Sequence, residues 1–280
     1  MMFLTLLLSA ATSFAYIPEF SLITSRAADQ HGRGAFRIEQ EVVYRREAEV
    51  FSVKEIWTVV NEGAMTLTLE GRGPLKGLVQ GTIIYNSTNK FFIEDSKVRS
   101  QRLGDDWLEP FFHFRSSKYF NARLVALKVV PTEALRDRTP MKSDSAPNYT
   151  APSFIRLSRT GGAVCWAIGI NPKVGIAPTL WLEQDQFILR KFRSANQTVL
   201  KADLYQRHSG TVSNEFFWYP RQQTYSFGQY NVQINTLSVK SLGRLKSSDK
   251  RFKSASLVAA KDALKRPEAD GLREFYARFR

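Results

Sequence analysis

The residue types that carry reaction chemistry are few and scattered in this chain. Its three histidines, His31, His113 and His208, match no metal-ligand spacing. The one cysteine, Cys165, sits in the apolar run Ala-Val-Cys-Trp-Ala-Ile-Gly, a setting for small buried filler rather than for a reactive thiolate. With a single cysteine no internal disulfide can form. Gly71-Arg-Gly73 is too short for a phosphate loop, and no Gly-x-Ser-x-Gly nucleophile turn occurs. The carboxylates Glu39, Glu41, Glu47, Glu49 and Glu55 read as a solvated strand face rather than an acid/base pair. The sequence therefore supports no catalytic residue, metal site or cofactor. What remains is apolar recognition. Trp107, Phe111, Phe112 and Phe114, with Trp181 and Trp218, are the candidate contacts for an apolar ligand, weighed against ordinary core packing.

Those aromatics must be positioned by short strands. From Pro178 to Leu242 the chain alternates β-branched and aromatic runs with Gln-Asp, Ser-Ala-Asn and Ser-Gly turns, the pattern of successive antiparallel strands. Leu200, Ala202 and Leu204 alternate with Lys201 and Asp203, giving one apolar and one wet face. Between Ile234 and Leu237 the apolar positions change parity, which predicts a bulge and a curling sheet. Upstream, 35–43, 50–60, 65–70, 79–85 and 90–93 read as five more strands, after a short helix within 19–31. The aromatic stretch 105–127 has roughly helical spacing and predicts a helix on the concave side of the sheet. Residues 131–152, with four prolines, read as an exposed insertion. The expectation is a curved antiparallel sheet of about nine to eleven strands with helices on its concave face.

Composition sets the compartment and the kind of partner. Of 280 residues 43% are apolar and 12% aromatic, enough for a sizeable core. A net charge of +14 and a pI near 9.9 favour anionic partners. The apolar run Phe3–Leu8 followed by Ser13-Phe14-Ala15 predicts an exported chain with a signal peptide over 1–15. A main domain over 16–244 then precedes a tail over 245–280. From Lys240 to Arg280 twelve basic residues face five acidic ones, a net +7. Leu272, Phe275, Tyr276 and Phe279 give the tail an apolar stripe, so it reads as a separable basic amphipathic segment that docks on an anionic membrane or a partner, or caps the sheet.

The order of elements resembles a known group. A leader, a short helix, long antiparallel strands and an aromatic helix are followed by Leu180-Trp-Leu-Glu183, Ile188-Leu-Arg-Lys-Phe192 and Trp218-Tyr-Pro-Arg221. This is similar to the outer-membrane lipoprotein-sorting carriers of the LolA-like superfamily, over roughly Phe20 to Leu242. The resemblance implies an unclosed α+β half-barrel with helices over an apolar cavity. It further implies a non-enzymatic cavity for acyl chains, so the expectation is a periplasmic, monomeric carrier of lipid or acylated lipoprotein; no nucleic-acid partner is expected, although the charge alone leaves an exported nucleic-acid binder as a weaker third reading. The alternative is an envelope protein of the same fold whose cavity is filled by its own side chains and whose surface docks a protein or a membrane.

Overall fold

The computed structural model describes residues 17–135, 152–170, 177–210, 216–260 and 263–280, with backbone alone at 216–217 and 259–260. The leader expected over 1–15 and most of the insertion expected over 131–152 lie outside the described residues. Strands β1 (Ala35–Arg46), β2 (Glu49–Asn61), β3 (Ala64–Arg72), β4 (Gln80–Tyr85), β5 (Asn89–Glu94) and β6 (Lys97–Arg102) form one antiparallel run. The second run is β7 (Ile155–Thr160), β8 (Ala163–Ile168), β9 (Thr179–Glu183), β10 (Leu189–Arg193), β11 (Val199–Ser209), β12 (Phe216–Phe227) and β13 (Tyr230–Gly243). The two runs join where β13 pairs with β1, in the order β6-β5-β4-β3-β2-β1-β13-β12-β11-β10-β9-β8-β7. The sheet is open, with β6 and β7 as its edges. Thirteen strands exceed the expected nine to eleven. One of them, β6, is exposed at every residue and carries no apolar alternation that would reveal it.

Strict alternation divides the sheet into two faces. Phe36, Ile38 and Val42 of β1, Val53 and Trp57 of β2 and Met65, Leu67 and Leu69 of β3 point inward into one core cluster. Leu180, Leu182, Phe192, Leu200, Tyr225, Val232 and Ile234 complete the same face from the other run. The predicted bulge is present. Glu39 pairs with Ser238 and Gln40 with Thr236, so Leu237 is left out of register and exposed.

Two helices cover part of this face. In α1 (Phe20–Asp29), Phe20, Ile23 and Ala27 are buried; in α2 (Ser117–Ala126), Phe120 and Leu124 are. His31 at the end of α1 is hydrogen-bonded through Nδ1 to the Phe114 carbonyl at 2.6 Å. The expected single helix over 105–127 resolves into a 3₁₀ turn, Glu109–Phe112, and α2. Pro110 starts the 3₁₀ turn, and Ser116 in an extended conformation precedes the helix.

The segment after β13 takes an unusual path. It first packs on the outer face, where Phe252 meets Ala35, Val60 and Ala64. Helix α3 (Ala255–Ala260) follows, with Leu257 against Ile84 and Ile93. Strands β4 and β5 pair only at Ile84–Phe91 and Tyr85–Lys90 and then splay apart. Residues 263–265 occupy the gap. Lys265 exchanges backbone hydrogen bonds with Gln80 at 2.8 and 3.2 Å, and the Leu264 N–H donates to the Ile93 carbonyl at 2.8 Å. Ala263 packs with the outer cluster and Leu264 with the inner core, so the chain crosses the sheet here. It enters the concave side as α4 (Asp270–Phe279). The separable tail expected from sequence is instead part of the core.

Gly81 permits the crossing. Its φ is +128°, and a Cβ there would lie 2.8 Å from the Leu264 Cα. Gly81→Val is expected to destabilise the protein by roughly 1–3 kcal/mol through backbone strain and overpacking, read as a lowered urea midpoint. Native stability in that variant would mean that the crossing is not tightly held.

Candidate functional site: the occupied inner face

Helix α4 presents Leu272, Phe275, Tyr276 and Phe279 at i, i+3, i+4 and i+7, and all four are buried. Phe275 and Phe279 lie against Tyr225 with centroids 5.3 and 5.1 Å apart, and Phe279 meets Phe227 at 4.9 Å. Close approach begins at the first turn. A Cβ on Gly271 would fall 2.4 Å from the Tyr44 ring, so a larger residue would lift the helix off β1.

Beneath the end of α4 lies a buried polar network. Arg280 donates through Nε to both Glu55 oxygens at 3.0 and 3.2 Å, and its Nη1 is 3.3 Å from Glu109 Oε2. All three side chains are fully buried. The guanidinium is also boxed by Trp57 (5.2 Å), Phe275 (4.9 Å) and Tyr225 (5.7 Å). Trp57 Nε1 donates to Glu55 at 3.0 Å. Glu109 Oε1 is hydrogen-bonded by His113 at 2.9 Å and Tyr219 at 3.2 Å, and the Tyr219 oxygen accepts from Gln40 and Gln223. Burial alone would push the Glu109 carboxyl up, but Arg280 and His113 together hold it below the usual carboxylate range. Burial works against the Arg280 cation too, and Glu55 and Glu109 outweigh it.

Further contacts hold the rim of α4. Lys90 donates to the main-chain oxygens of Ala277 and Arg280, and burial, followed by repulsion from Arg266, lowers its pKa to about 8. Arg278 binds Asp106 at 2.8 Å and Glu274 at 2.6 Å, and Asp106 accepts from Asn196. Beside these groups is a cleft of about 380 Å³, lined among others by Lys90, Gln101, Arg102, Asp105 and Asp106.

Four of the six candidate aromatics come together on the inner face, where they pack as core. Trp107 stacks on Tyr85 at 4.4 Å beside Trp57. Phe111 meets Phe114, Phe120 and Phe192, and Phe112 meets Tyr219. Trp181 lies on the outer face with Cys165 and Ala167. Trp218 is half-buried on β12, its backbone N–H donating to the Gln30 carbonyl. Burial pushes the Cys165 thiol up to about 11, with Glu183 adding to the effect. Glu55, expected on a solvated face, is fully buried. Its parity with Phe51, Val53 and Trp57 carried that information. Glu109 and Arg280 gave no such sign, because their partners are far away in sequence. The described residues hold no group of three or more His, Cys, Asp or Glu that could bind a metal.

Arg280→Ala is expected to cost about 3–5 kcal/mol by stranding two buried carboxylates. Adding Glu55→Gln and Glu109→Gln should recover much of the loss. The depressed Glu109 pKa stabilises the intact protein above the ordinary carboxylate value, and that contribution fades as pH falls through the folded value. In Arg280→Ala the slope should reverse, acid relieving the unpaired charges. Denaturant titrations at pH 4 and pH 7 check this, and an unchanged slope would count against the ion-pair account.

No protein-family profile matches the chain, and no curated protein matches it in sequence. Solved structures do match. A LolA superfamily protein from Nitrosomonas europaea superposes with a TM-score of 0.50 at 10% identity, over 86% of this chain and 100% of that one. An outer membrane lipoprotein-sorting protein domain from Vibrio parahaemolyticus gives 0.49 at 11% identity, over 85% and 97%. A DUF1329 family protein from Desulfovibrio piger gives 0.49 at 11%, over 86% and 100%. At such identities the likeness concerns architecture alone: the chain has a LolA-like fold, an open antiparallel sheet with helices against its inner face.

Proposed function

We propose that this protein is a non-enzymatic, exported binder of lipid or acylated lipoprotein, and that α4 occupies the ligand site until ligand displaces it. The observation that supports this reading is α4 itself, an apolar rod of four large side chains lying in the half-barrel. Fully burying such side chains contributes about 1.5–3 kcal/mol each, so roughly 6–12 kcal/mol holds the helix. One sixteen-carbon acyl chain is worth about 12 kcal/mol at ~0.8 kcal/mol per methylene. Unpairing Glu55 and Glu109 from Arg280 costs a further 3–5 kcal/mol or so. A single chain therefore roughly breaks even, whereas two or more win clearly. The reading favours multiply acylated ligands over free fatty acids. Trp107, Phe111, Phe112 and Phe114 would then line the emptied site, and the segment 266–269, with Pro267, would be the hinge.

The buried Glu55–Arg280–Glu109 triad favours a second reading, in which the half-barrel is permanently filled and the protein acts as a docking module of the cell envelope. Native mass spectrometry of the full chain, with added diacyl phospholipid and with palmitate, separates the two. Displacement predicts a one-to-one phospholipid adduct, a weaker palmitate adduct and faster proteolysis near Arg266 in the adduct. A bare chain with unchanged proteolysis would leave the docking reading standing.

A further inference from the structure

The outer face of the second strand run carries a row of cations without anionic partners. Cα pairing aligns Arg156 with Ala167, Ala167 with Trp181, Trp181 with Lys191, and Lys191 with Lys201 across β7 to β11. At about 4.8 Å per strand the row spans roughly 19 Å. Arg193 lies two residues along β10 on the same face. Lys191 Nζ sits 4.8 Å from the Trp181 ring centroid and Arg193 Cζ 5.7 Å from it. Arg156 donates to the Gly169 carbonyl at 3.3 Å and Arg193 to the Ala177 carbonyl at 3.1 Å.

Among the described residues no ion pair involves Arg156, Lys191, Arg193 or Lys201. The neighbouring carboxylates Glu183 and Asp203 are both taken by Arg190. Five cations against two carboxylates leave a local charge of +3. Burial, then Lys201 and Arg193, lower the Lys191 pKa, and burial, then Arg193, lower that of Arg156. Lys191 and Lys201 thus face one another on adjacent strands, an arrangement that costs stability in the free protein. Ile170, next to the Gly169 that Arg156 holds, is 55% exposed.

We propose that this face, centred on Trp181, docks the protein on an anionic phospholipid bilayer. A row of cations on a sheet face, with an indole beneath it and an exposed isoleucine at its end, fits a plane of phosphodiester headgroups. The attraction offsets the mutual repulsion of the row. The inference does not depend on displacement of α4, because the two sites lie on opposite faces of the sheet.

The test is co-sedimentation of the full chain with vesicles of 30% phosphatidylglycerol in phosphatidylcholine, and of phosphatidylcholine alone, at low salt. Lys191→Gln/Lys201→Gln removes two charges from the row, and Lys246→Gln/Lys250→Gln removes two elsewhere. Neither pair holds the core together, and circular dichroism verifies folding. The face variant should lose affinity for the anionic vesicles about 30-fold, at about 5-fold per lysine. The other variant should change little, and high salt should abolish binding. Equal losses in both variants, no loss in the face variant, or no binding by the intact chain would each overturn the proposal. So would tighter binding of the row to a single-stranded oligonucleotide than to the vesicles.

Discussion

Two carboxylates, Glu55 and Glu109, are fully buried in the half-barrel, and the architecture turns on how their charge is answered. Desolvating a carboxylate costs several kcal/mol, so a cation must be delivered to the same depth. Arg280 does this from the end of α4, and its guanidinium is enclosed by Trp57, Tyr225 and Phe275. The pair is specific as well as costly. A hydrophobic plug alone can slide or rotate in a smooth aromatic groove, whereas a guanidinium forked between two fixed carboxylates sets the depth and rotation of the helix. His113, Tyr219, Gln40 and Gln223 extend the constraint by fixing Glu109 in turn.

Delivering that cation requires the chain to change faces. A continuous sheet is a barrier, and connections ordinarily run round its edges. Here β4 and β5 separate beyond Ile84 and Phe91, which would leave backbone groups unpaired in the interior. Residues 263–265 supply the missing partners as they pass through, so the gap and the crossing segment need each other. This accounts for an otherwise odd combination: a tail that is basic in composition yet contributes a helix with a fully buried aromatic face.

Much of the sheet was legible because alternation is a local signal. The strands of both runs other than β6, the parity break at Leu237 and the concave apolar face follow from period-two reading. What failed was non-local. Glu55 was grouped with Glu39 and Glu49 by residue type, although Glu39 pairs with Lys54 on the outer face and Glu49 with Arg46 in solvent. Its phase along β2 places it inside, and the charge that answers it there comes from Arg280, 225 positions away. The tail was read by charge, yet its lysines and arginines divide between the solvent and the core. The aromatic stretch 105–127 had helical spacing, but Pro110 and the extended Ser116 divide it into a turn and a helix.

The two faces of the sheet therefore treat charge in opposite ways. Inside, the one guanidinium of the triad bridges both carboxylates, because a low dielectric makes an ion far from any counter-charge prohibitive. Outside, around Trp181, cations accumulate without partners because water makes repulsion cheap, and they stay available to an anion. A fold shared with structures only about a tenth identical cannot by itself fix either arrangement. The bridged triad inside and the cation-rich face outside belong to this sequence.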